Sequence, residues 1–276
     1  MQSIRKAAEA LKLLSQPPYE TSVADLARAL GVTASNASRI LSEMREAELV
    51  DQDSASRRYR PGPLAMRLAT GFLQTTNVMR CIEDAMVDLA TRTHHTAWTG
   101  VLEGSDVVTL GTQHGGFPVR FGIELGRRLP CHATAMGKAL LALLPDDEIR
   151  QRLPGELPAT TPYSLRSVDQ LLEDLAHVRA TGFACSNQEL FLGIKTIAIA
   201  LQSPLNASPI ALSLSFPLLS VDAGTEQTLI KDLMDTGRSV GLRIGDPRWL
   251  DPVEPAPAST PSAARRPARA KRPAAG

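Results

Sequence analysis

Short polar side chains and one arginine are concentrated just before residue 40, where they could contact nucleic acid. They are Thr33, Ser35, Asn36, Ser38 and Arg39. Hydroxyl and amide groups can hydrogen-bond to base edges, and arginine can bind a guanine edge or a phosphate. Three more arginines follow within a short interval. They are Arg57, Arg58 and Arg60. A run of charges is usually a solvated surface. The elements that position these residues therefore decide whether they form a nucleic-acid-binding surface or an ordinary solvated one.

The residues around this polar set predict two short helices joined by a turn. Ser22 precedes the first helix with Asp25 in the capping-box position, and Gly31 ends it. Thr33 or Ser35 can cap the second helix. Two short helices with a glycine-containing turn predict a helix-turn-helix, although an ordinary helical hairpin has closely similar spacing.

The segment after the second helix favours the helix-turn-helix. Residues 49–51 and 58–60 are predicted to be short strands flanking the polar loop QDSASR. A further amphipathic helix begins near Ile4 and ends before Pro17. The order helix, helix, helix, hairpin predicts a winged helix-turn-helix over residues 1–62. The three arginines then lie on the wing, where a phosphate backbone would pass.

Residues that could support catalysis are present, but no complete catalytic motif surrounds them. His132 could be a general base, yet no nucleophile motif such as G-x-S-x-G accompanies it. Lys138 follows a glycine without the spacing of a phosphate loop, so we expect a surface or inter-subunit cation. Glu189 is expected to be a turn or solvated acid, and Cys131 a packing residue. The sequence therefore predicts no catalytic site.

The cysteines and histidines argue against a zinc module or a disulfide framework. Cys81, Cys131 and Cys185 are far apart and odd in number. His94 and His95 are adjacent, so in a strand they would point to opposite faces. We therefore predict no metal and no cofactor. The cysteine usage fits the cytoplasm, and the sequence has no run of 18 apolar residues that would predict a membrane span.

Charge is distributed unevenly along the 276 residues. The chain has 30 basic and 29 acidic side chains and a net charge of +1. Residues 251–276, rich in Pro and Ala, hold five basic and two acidic side chains, and their composition predicts a disordered tail. The remainder is close to neutral, so any affinity for nucleic acid must come from a local patch.

The rest of the chain predicts a connecting helix at residues 63–78 and a second domain at residues 79–250. A strand hairpin with its turn at residues 103–106 is followed by interleaved helical and strand segments. This alternation predicts an α/β sensor domain in which helices flank a central antiparallel sheet. The predicted class of the whole chain is α+β.

Two long motifs then resemble a known family. The stretches GRRLPCHATAMGKALLALLPDDE (residues 126–148) and LEDLAHVRATGFACSNQELFLGIKTIAIAL (residues 172–201), together with the winged helix, resemble the IclR family of bacterial transcriptional regulators. The resemblance covers residues 3–245. It implies an N-terminal DNA-binding domain, a linker helix, and a GAF-like domain that binds a small effector and forms dimers or tetramers.

The resemblance also implies where the effector binds. In family members that bind small keto acids, backbone amides at a helix start hold the carboxylate, which here are those of Ala135 and Met136. A helix start presents unpaired N–H groups to an anion, which gives this position a physical basis. Ser213 and Ser215 match ligand-contacting positions, and their spacing places both hydroxyl groups on one face of a strand.

Two implied positions depart from the family pattern. Ser186 stands where those members have an Asp, and Thr196 stands where they have a Cys. Loss of the acid removes a hydrogen-bond acceptor, which disfavours ligands like glyoxylate or pyruvate and favours a larger or aromatic organic acid. Trp98 is a further candidate for the pocket, although a core or interface aromatic residue is an equal alternative.

The sequence thus predicts a cytoplasmic, ligand-responsive transcription factor without catalytic activity, which controls catabolic genes. We expect a homodimer or homotetramer that binds double-stranded DNA at a roughly palindromic operator and acts as repressor or activator. The effector is expected to be a small organic acid. The alternative is a small-molecule enzyme built on the α/β domain, with the N-terminal helices as an interaction module.

Overall fold

The computed structural model describes residues 2–15, 18–75, 77–118, 124–204 and 208–250. The chain divides into two compact units between residues 76 and 77. This division lies two residues before the predicted start of the second domain. The predicted tail, residues 251–276, lies outside the described residues.

The N-terminal unit has the predicted order of three helices and a hairpin, followed by one more helix. The elements are α1 (Gln2–Leu14), α2 (Val23–Leu30), α3 (Ala34–Glu46), β1 (Val50–Gln52), β2 (Tyr59–Pro61) and α4 (Pro63–Thr75). The two strands pair antiparallel and lie one residue later than the sequence predicted. Leu14, Leu26, Leu41 and Val50 are buried together, which joins the three helices and the hairpin around one core.

Local signals fix the ends of α2 and α3. The Ser22 hydroxyl accepts a hydrogen bond from the backbone N–H of Asp25, whose carboxylate accepts from the backbone N–H of Ser22. Gly31 ends α2 in the left-handed region with φ of 62°. Of the two possible caps of α3, Thr33 is used: its Oγ1 accepts from the backbone N–H of Asn36 at 3.4 Å.

The C-terminal unit is an α/β domain built on one sheet. Its helices are α5 (Val78–Thr93), α6 (Ala135–Leu141), α7 (Asp146–Arg152), α8 (Val168–Thr181), α9 (Ala223–Ile244) and α10 (Pro247–Leu250). Its strands are β3 (Thr96–Glu103), β4 (Asp106–Gln113), β5 (Arg128–Pro130), β6 (Ala184–Asn187), β7 (Ile194–Leu201) and β8 (Ile210–Pro217). The predicted hairpin between β3 and β4 has its turn where the sequence placed it.

The six strands run antiparallel to their neighbours in the order β5-β4-β3-β8-β7-β6, and the two faces of this sheet differ. On one face, large side chains such as Ile197 and Ile199 pack with α5 and α9. On the other face, small side chains such as Ala198 and Ala211 pack with α6 and α8. Because these residues are small, α6 lies close to the sheet, and this face carries the candidate site.

The structure corrects the placement of the adjacent histidines. His94 ends α5 with φ of 60°, and β3 begins only at Thr96, so the pair is not part of a strand. Within the described ranges, no group of three or more His, Cys, Asp or Glu side chains could hold a metal ion. No helix in the described part of the chain has the length and apolar character needed to cross a membrane.

Candidate functional site

A narrow cavity lies between the small-residue face of the sheet, the start of α6 and the loop before β7. It is lined by Trp98, Leu129, Thr134, Ala135, Met136, Ser186, Leu190, Phe191, Ile194, Thr196, Ser213 and Ser215. The structure therefore brings together all seven residues that the sequence assigned to the effector site. The space inside is little more than water-sized.

Hydroxyl groups from three adjacent strands form the polar floor of the cavity. Ser186, Thr196 and Ser215 lie side by side in the registers of β6 with β7 and of β7 with β8. The Thr196 and Ser215 hydroxyl oxygens are 2.8 Å apart, and the Ser186 hydroxyl donates to the carbonyl of Ala133 at 2.8 Å. Each of these groups therefore has a partner within the protein.

Ser213 differs from its neighbours on the same floor. It lies two residues before Ser215 on β8, opposite Trp98 of β3, and its side chain is fully buried. Among the described residues, no group forms a hydrogen bond with its Oγ. A buried hydroxyl group without a partner lowers stability, so its place at the edge of a cavity needs a reason.

The start of α6 presents backbone donors to the cavity. The Thr134 hydroxyl caps the helix by accepting from the backbone N–H of Gly137 at 3.0 Å. The N–H groups of Ala135 and Met136 belong to the first two residues of the helix, so no carbonyl of the helix can accept from them. A Cβ atom at position 137 would overlap the backbone of Cys131, so only glycine allows this close approach.

The remaining walls of the cavity are apolar. Leu129, Met136, Leu190, Phe191 and Ile194 surround the polar floor, and the indole of Trp98 is almost fully buried. Among the lining residues that the structure describes, none has an ionisable carboxyl, amine or guanidinium group. A small molecule with one polar end and an apolar body would meet neutral donors and apolar walls here once the walls move apart to enlarge the water-sized space.

Lys138 and Glu189, expected to be exposed, are buried beside the cavity. The Lys138 ammonium is 1% exposed and lies 2.8 Å from Glu189 Oε1 and 2.9 Å from Asp174 Oδ2. Burial opposes the charged form of Lys138, but the two carboxylates outweigh it and raise the pKa of the ammonium. Lys138 is therefore not a surface cation, and Glu189, although it lies in a loop, is not a solvated acid. Glu189 is 51 residues from Lys138 in sequence and meets it only through the fold.

The groups that could have supported catalysis have structural contacts. His132 Nε2 lies 2.9 Å from the carbonyl oxygen of Pro158, and burial lowers the pKa of the imidazole. The Cys131 side chain is fully buried, and burial raises the pKa of its thiol to about 12. A thiol that stays protonated is a poor nucleophile. Neither residue lines the cavity.

The predicted DNA-contacting residues of α3 and of its N-cap, Thr33, are all exposed. They are Thr33, Ser35, Asn36, Ser38 and Arg39. The opposite face of α3, with Ala37, Ile40 and Leu41, is buried. Arg39 makes a loose ion pair with Glu43 at 3.6 Å. A helix with an apolar inner face and short polar outer side chains has the form that fits a major groove.

The three arginines of the wing have different surroundings. Arg57 is exposed beside the turn, and no described acidic side chain lies within ion-pair distance of it. Arg60 pairs with Asp51 at 3.1 Å and remains 60% exposed. Arg58 is half-buried and contacts Glu20 at 2.6 Å, so it joins the wing to the segment before α2. Arg57 is therefore the arginine best placed to reach a phosphate.

Sequence reasoning missed several lining residues. Leu129 comes from a short strand and Leu190 and Phe191 from a loop, for which the sequence offers no periodic pattern, whereas Ile194 is the first residue of β7. Thr134 could have been found, because it directly precedes the helix that carries the predicted amide donors and is a favourable capping residue.

Comparisons with known proteins agree with this architecture. The sequence model of the IclR helix-turn-helix domain matches residues 3–54, and that of the bacterial transcriptional regulator IclR C-terminal domain matches residues 70–242. The HTH-type transcriptional regulator XynR of Escherichia coli (strain K12) is 27% identical over 248 residues. These cover 90% of this chain and 98% of XynR.

Solved structures share the fold. A protein of Silicibacter sp. TM1040, described as an IclR transcriptional regulator, matches with a TM-score of 0.71 and 26% identity, over 89% of this chain and 96% of its own. An IclR homologue of Microbacterium hydrocarbonoxydans, complexed with 4-hydroxybenzoate, has a TM-score of 0.54 at 20% identity, over 88% and 99% of the two chains. The chain belongs to the IclR family of bacterial transcriptional regulators.

Proposed function

We propose that the C-terminal unit binds a small organic acid with an apolar body in the cavity, and that occupancy of the cavity controls DNA binding by the N-terminal unit. The observation that carries the proposal is the Ser213 hydroxyl, which is fully buried beside the cavity without a partner among the described residues. A ligand that bonds this hydroxyl group would supply the missing partner.

The lining supports an acid of this kind. The N–H groups of Ala135 and Met136, together with the hydroxyl group of Ser213, which is unpaired among the described residues, offer donors for a carboxylate. Trp98 and Phe191 offer apolar surface for the rest of the ligand. The described lining contains no acidic side chain, so only neutral hydroxyl oxygens, such as that of Ser186, can accept from a hydroxylated or hydrated ligand. This favours aromatic or other apolar acids over glyoxylate or pyruvate.

A thermal-shift experiment tests ligand binding. Protein refolded to remove any bound molecule is heated with benzoate, 4-hydroxybenzoate, pyruvate or glyoxylate, and benzamide serves as the uncharged control for benzoate. We expect aromatic acids to raise Tm, because a ligand that binds only the folded state stabilises it. Failure of every acid in a wider panel, or equal shifts with benzoate and benzamide, would contradict the proposal.

We further propose that the exposed residues of α3 contact bases and that Arg57 and Arg60 of the wing contact phosphates. The protein would act in the cytoplasm as a homodimer or homotetramer, whose two-fold symmetry requires a roughly palindromic operator. Gel shifts on DNA flanking its gene, with random DNA as competitor, test this. No preference for that DNA at moderate salt, with or without ligand, would contradict the proposal.

Ligand control would operate by linkage. An acid that binds two arrangements of the dimer with different affinity changes the population of the arrangement that fits the operator. We propose no catalytic activity for the α/β domain. Conversion of a bound acid that is lost on His132→Ala substitution would favour the enzyme alternative instead.

A further inference from the structure

The loop at residues 188–193, here called the mouth loop, forms one wall of the cavity. Leu190 and Phe191 line the cavity from this loop, while Leu192 is 63% exposed and Phe191 39% exposed. Exposed apolar side chains on a short loop give it little reason to keep one position by packing alone. The contacts that hold the mouth loop therefore decide whether the cavity is covered.

A buried ion pair connects the mouth loop to the helix on the other side of the cavity. Both carboxylate oxygens of Glu189 accept hydrogen bonds from the Lys138 ammonium, at 2.8 and 3.1 Å. Lys138 is one turn after Ala135 in α6, so it moves with the backbone donors of the cavity. Asp174 of α8 is a second partner of Lys138 at 2.9 Å.

The backbone of Glu189 is held by the segment before α8. The carbonyl oxygen of Glu189 accepts hydrogen bonds from the hydroxyl groups of Thr160 and Ser164, both at 2.6 Å. Glu189 thus attaches the middle of the mouth loop, by its side chain to α6 and by its backbone to the segment before α8, while hydrogen bonds at Gln188 and Gly193 hold the two ends. A buried ion pair contributes little net stability compared with an apolar pair of the same volume. The main effect of this pair is to fix the position of the mouth loop relative to α6.

We propose that the Lys138–Glu189 ion pair is the latch that holds the mouth loop over the effector cavity, so that these two residues position the cavity walls without lining them. Breaking the pair lets Leu190 and Phe191, which lie between the backbone attachments of the loop, move away from the cavity and exposes Trp98, which is 1% exposed with the pair intact. The consequence for ligand affinity rests on the function proposed above, whereas exposure of Trp98 can be measured without any ligand.

Acrylamide quenching of Trp98 fluorescence tests the latch. The chain has two tryptophans, so all proteins carry Trp249→Phe and Trp98 is the only emitter. Glu189→Gln keeps the size of the side chain but removes its charge. We expect a several-fold larger quenching constant for Trp98 in this variant, with far-UV circular dichroism unchanged.

The Lys195–Glu226 ion pair provides a matched control. Its atoms are 2.6 Å apart, Lys195 is 9% exposed, and neither residue lines the cavity. Glu226→Gln should lower Tm but leave the quenching of Trp98 as in the parent protein. Equal quenching in the Glu189→Gln variant and the parent would overturn the latch, and so would equal increases in both variants, which would indicate general loosening.

A second substitution keeps the test decisive if Glu189→Gln does not fold. Glu189→Asp retains the negative charge beside Lys138 but shortens the side chain by one methylene group, so the charge balance of the buried cluster is kept. We expect it to raise the quenching constant as well. Parent-like quenching in a folded Glu189→Asp variant would equally overturn the proposal.

Discussion

Replacing Ser213 by alanine should stabilise the protein without its ligand, the opposite of the usual effect of a core substitution. The Ser213 hydroxyl is fully buried and has no partner among the described residues. Burying an unsatisfied hydroxyl group costs about 1–3 kcal/mol, so its removal should raise the free energy of unfolding by about 1 kcal/mol. For a unit of this size that corresponds to a rise in Tm of about 3 °C, measurable by calorimetry on ligand-free protein.

The same substitution at Ser215 is the matched control. Ser215 lies two residues away on the same face, but its hydroxyl is 2.8 Å from that of Thr196. Ser215→Ala should therefore lower stability by about 1 kcal/mol. For an aromatic acid that binds the parent protein, Ser213→Ala should weaken affinity about fivefold through loss of one hydrogen bond. A loss of stability in Ser213→Ala similar to that in Ser215→Ala would show that the Ser213 hydroxyl is satisfied, and would refute the reasoning.

Three further substitutions test other parts of the structure. Gly137→Ala should lower Tm by about 4–8 °C, a net loss of about 2 kcal/mol, because its Cβ would overlap the backbone of Cys131, whereas the Cβ of Gly224→Ala would make only an ordinary van der Waals contact with Asp222 Oδ1 at 3.6 Å. Thermal melts showing equal Tm for both variants would contradict this. Arg57→Ala should reduce the slope of log binding affinity against log salt concentration by about one, on operator and random DNA alike. Arg39→Ala should weaken binding to operator DNA more than binding to random DNA. Equal losses on both DNAs for both variants, measured by fluorescence anisotropy, would count against these roles. Burial lowers the pKa of His95 below 6.5, so folding favours the neutral imidazole and stability should fall as the pH drops below about 6.5. The substitution His95→Phe should flatten this dependence of Tm on pH. An unchanged profile would show that another group causes the dependence.

The local elements of this protein were predictable because their signals lie within a few residues of one another. The capping box at Ser22 and Asp25, the left-handed turn at Gly31 and the turn of the β3–β4 hairpin each involve short separations, and the structure has all three. The strands of the wing were displaced by one residue, since three-residue strands have no periodic pattern that fixes their ends.

The candidate site was predictable in part. Ala135, Met136, Ser186 and Thr196 lie in the two long family motifs, Ser213 and Ser215 matched family positions on a later strand, and Trp98 was a separate candidate. The structure brings these seven residues to one cavity. The roles of individual wing arginines did not follow from their spacing. Arg58 and Arg60 both meet carboxylates, and only folding brings Glu20 beside Arg58.

The sequence by itself determined the order of the elements, the winged helix and the family, because helix periodicity, caps, turns and long motifs act locally or as contiguous patterns. Only the tertiary structure decided the surroundings of Lys138, Glu189 and Ser213. Burial and pairing depend on which strands and helices lie side by side, and here Lys138 of α6 meets Glu189, 51 residues away in sequence. The same residue types are solvated, paired or unsatisfied according to those neighbours, which no local pattern encodes.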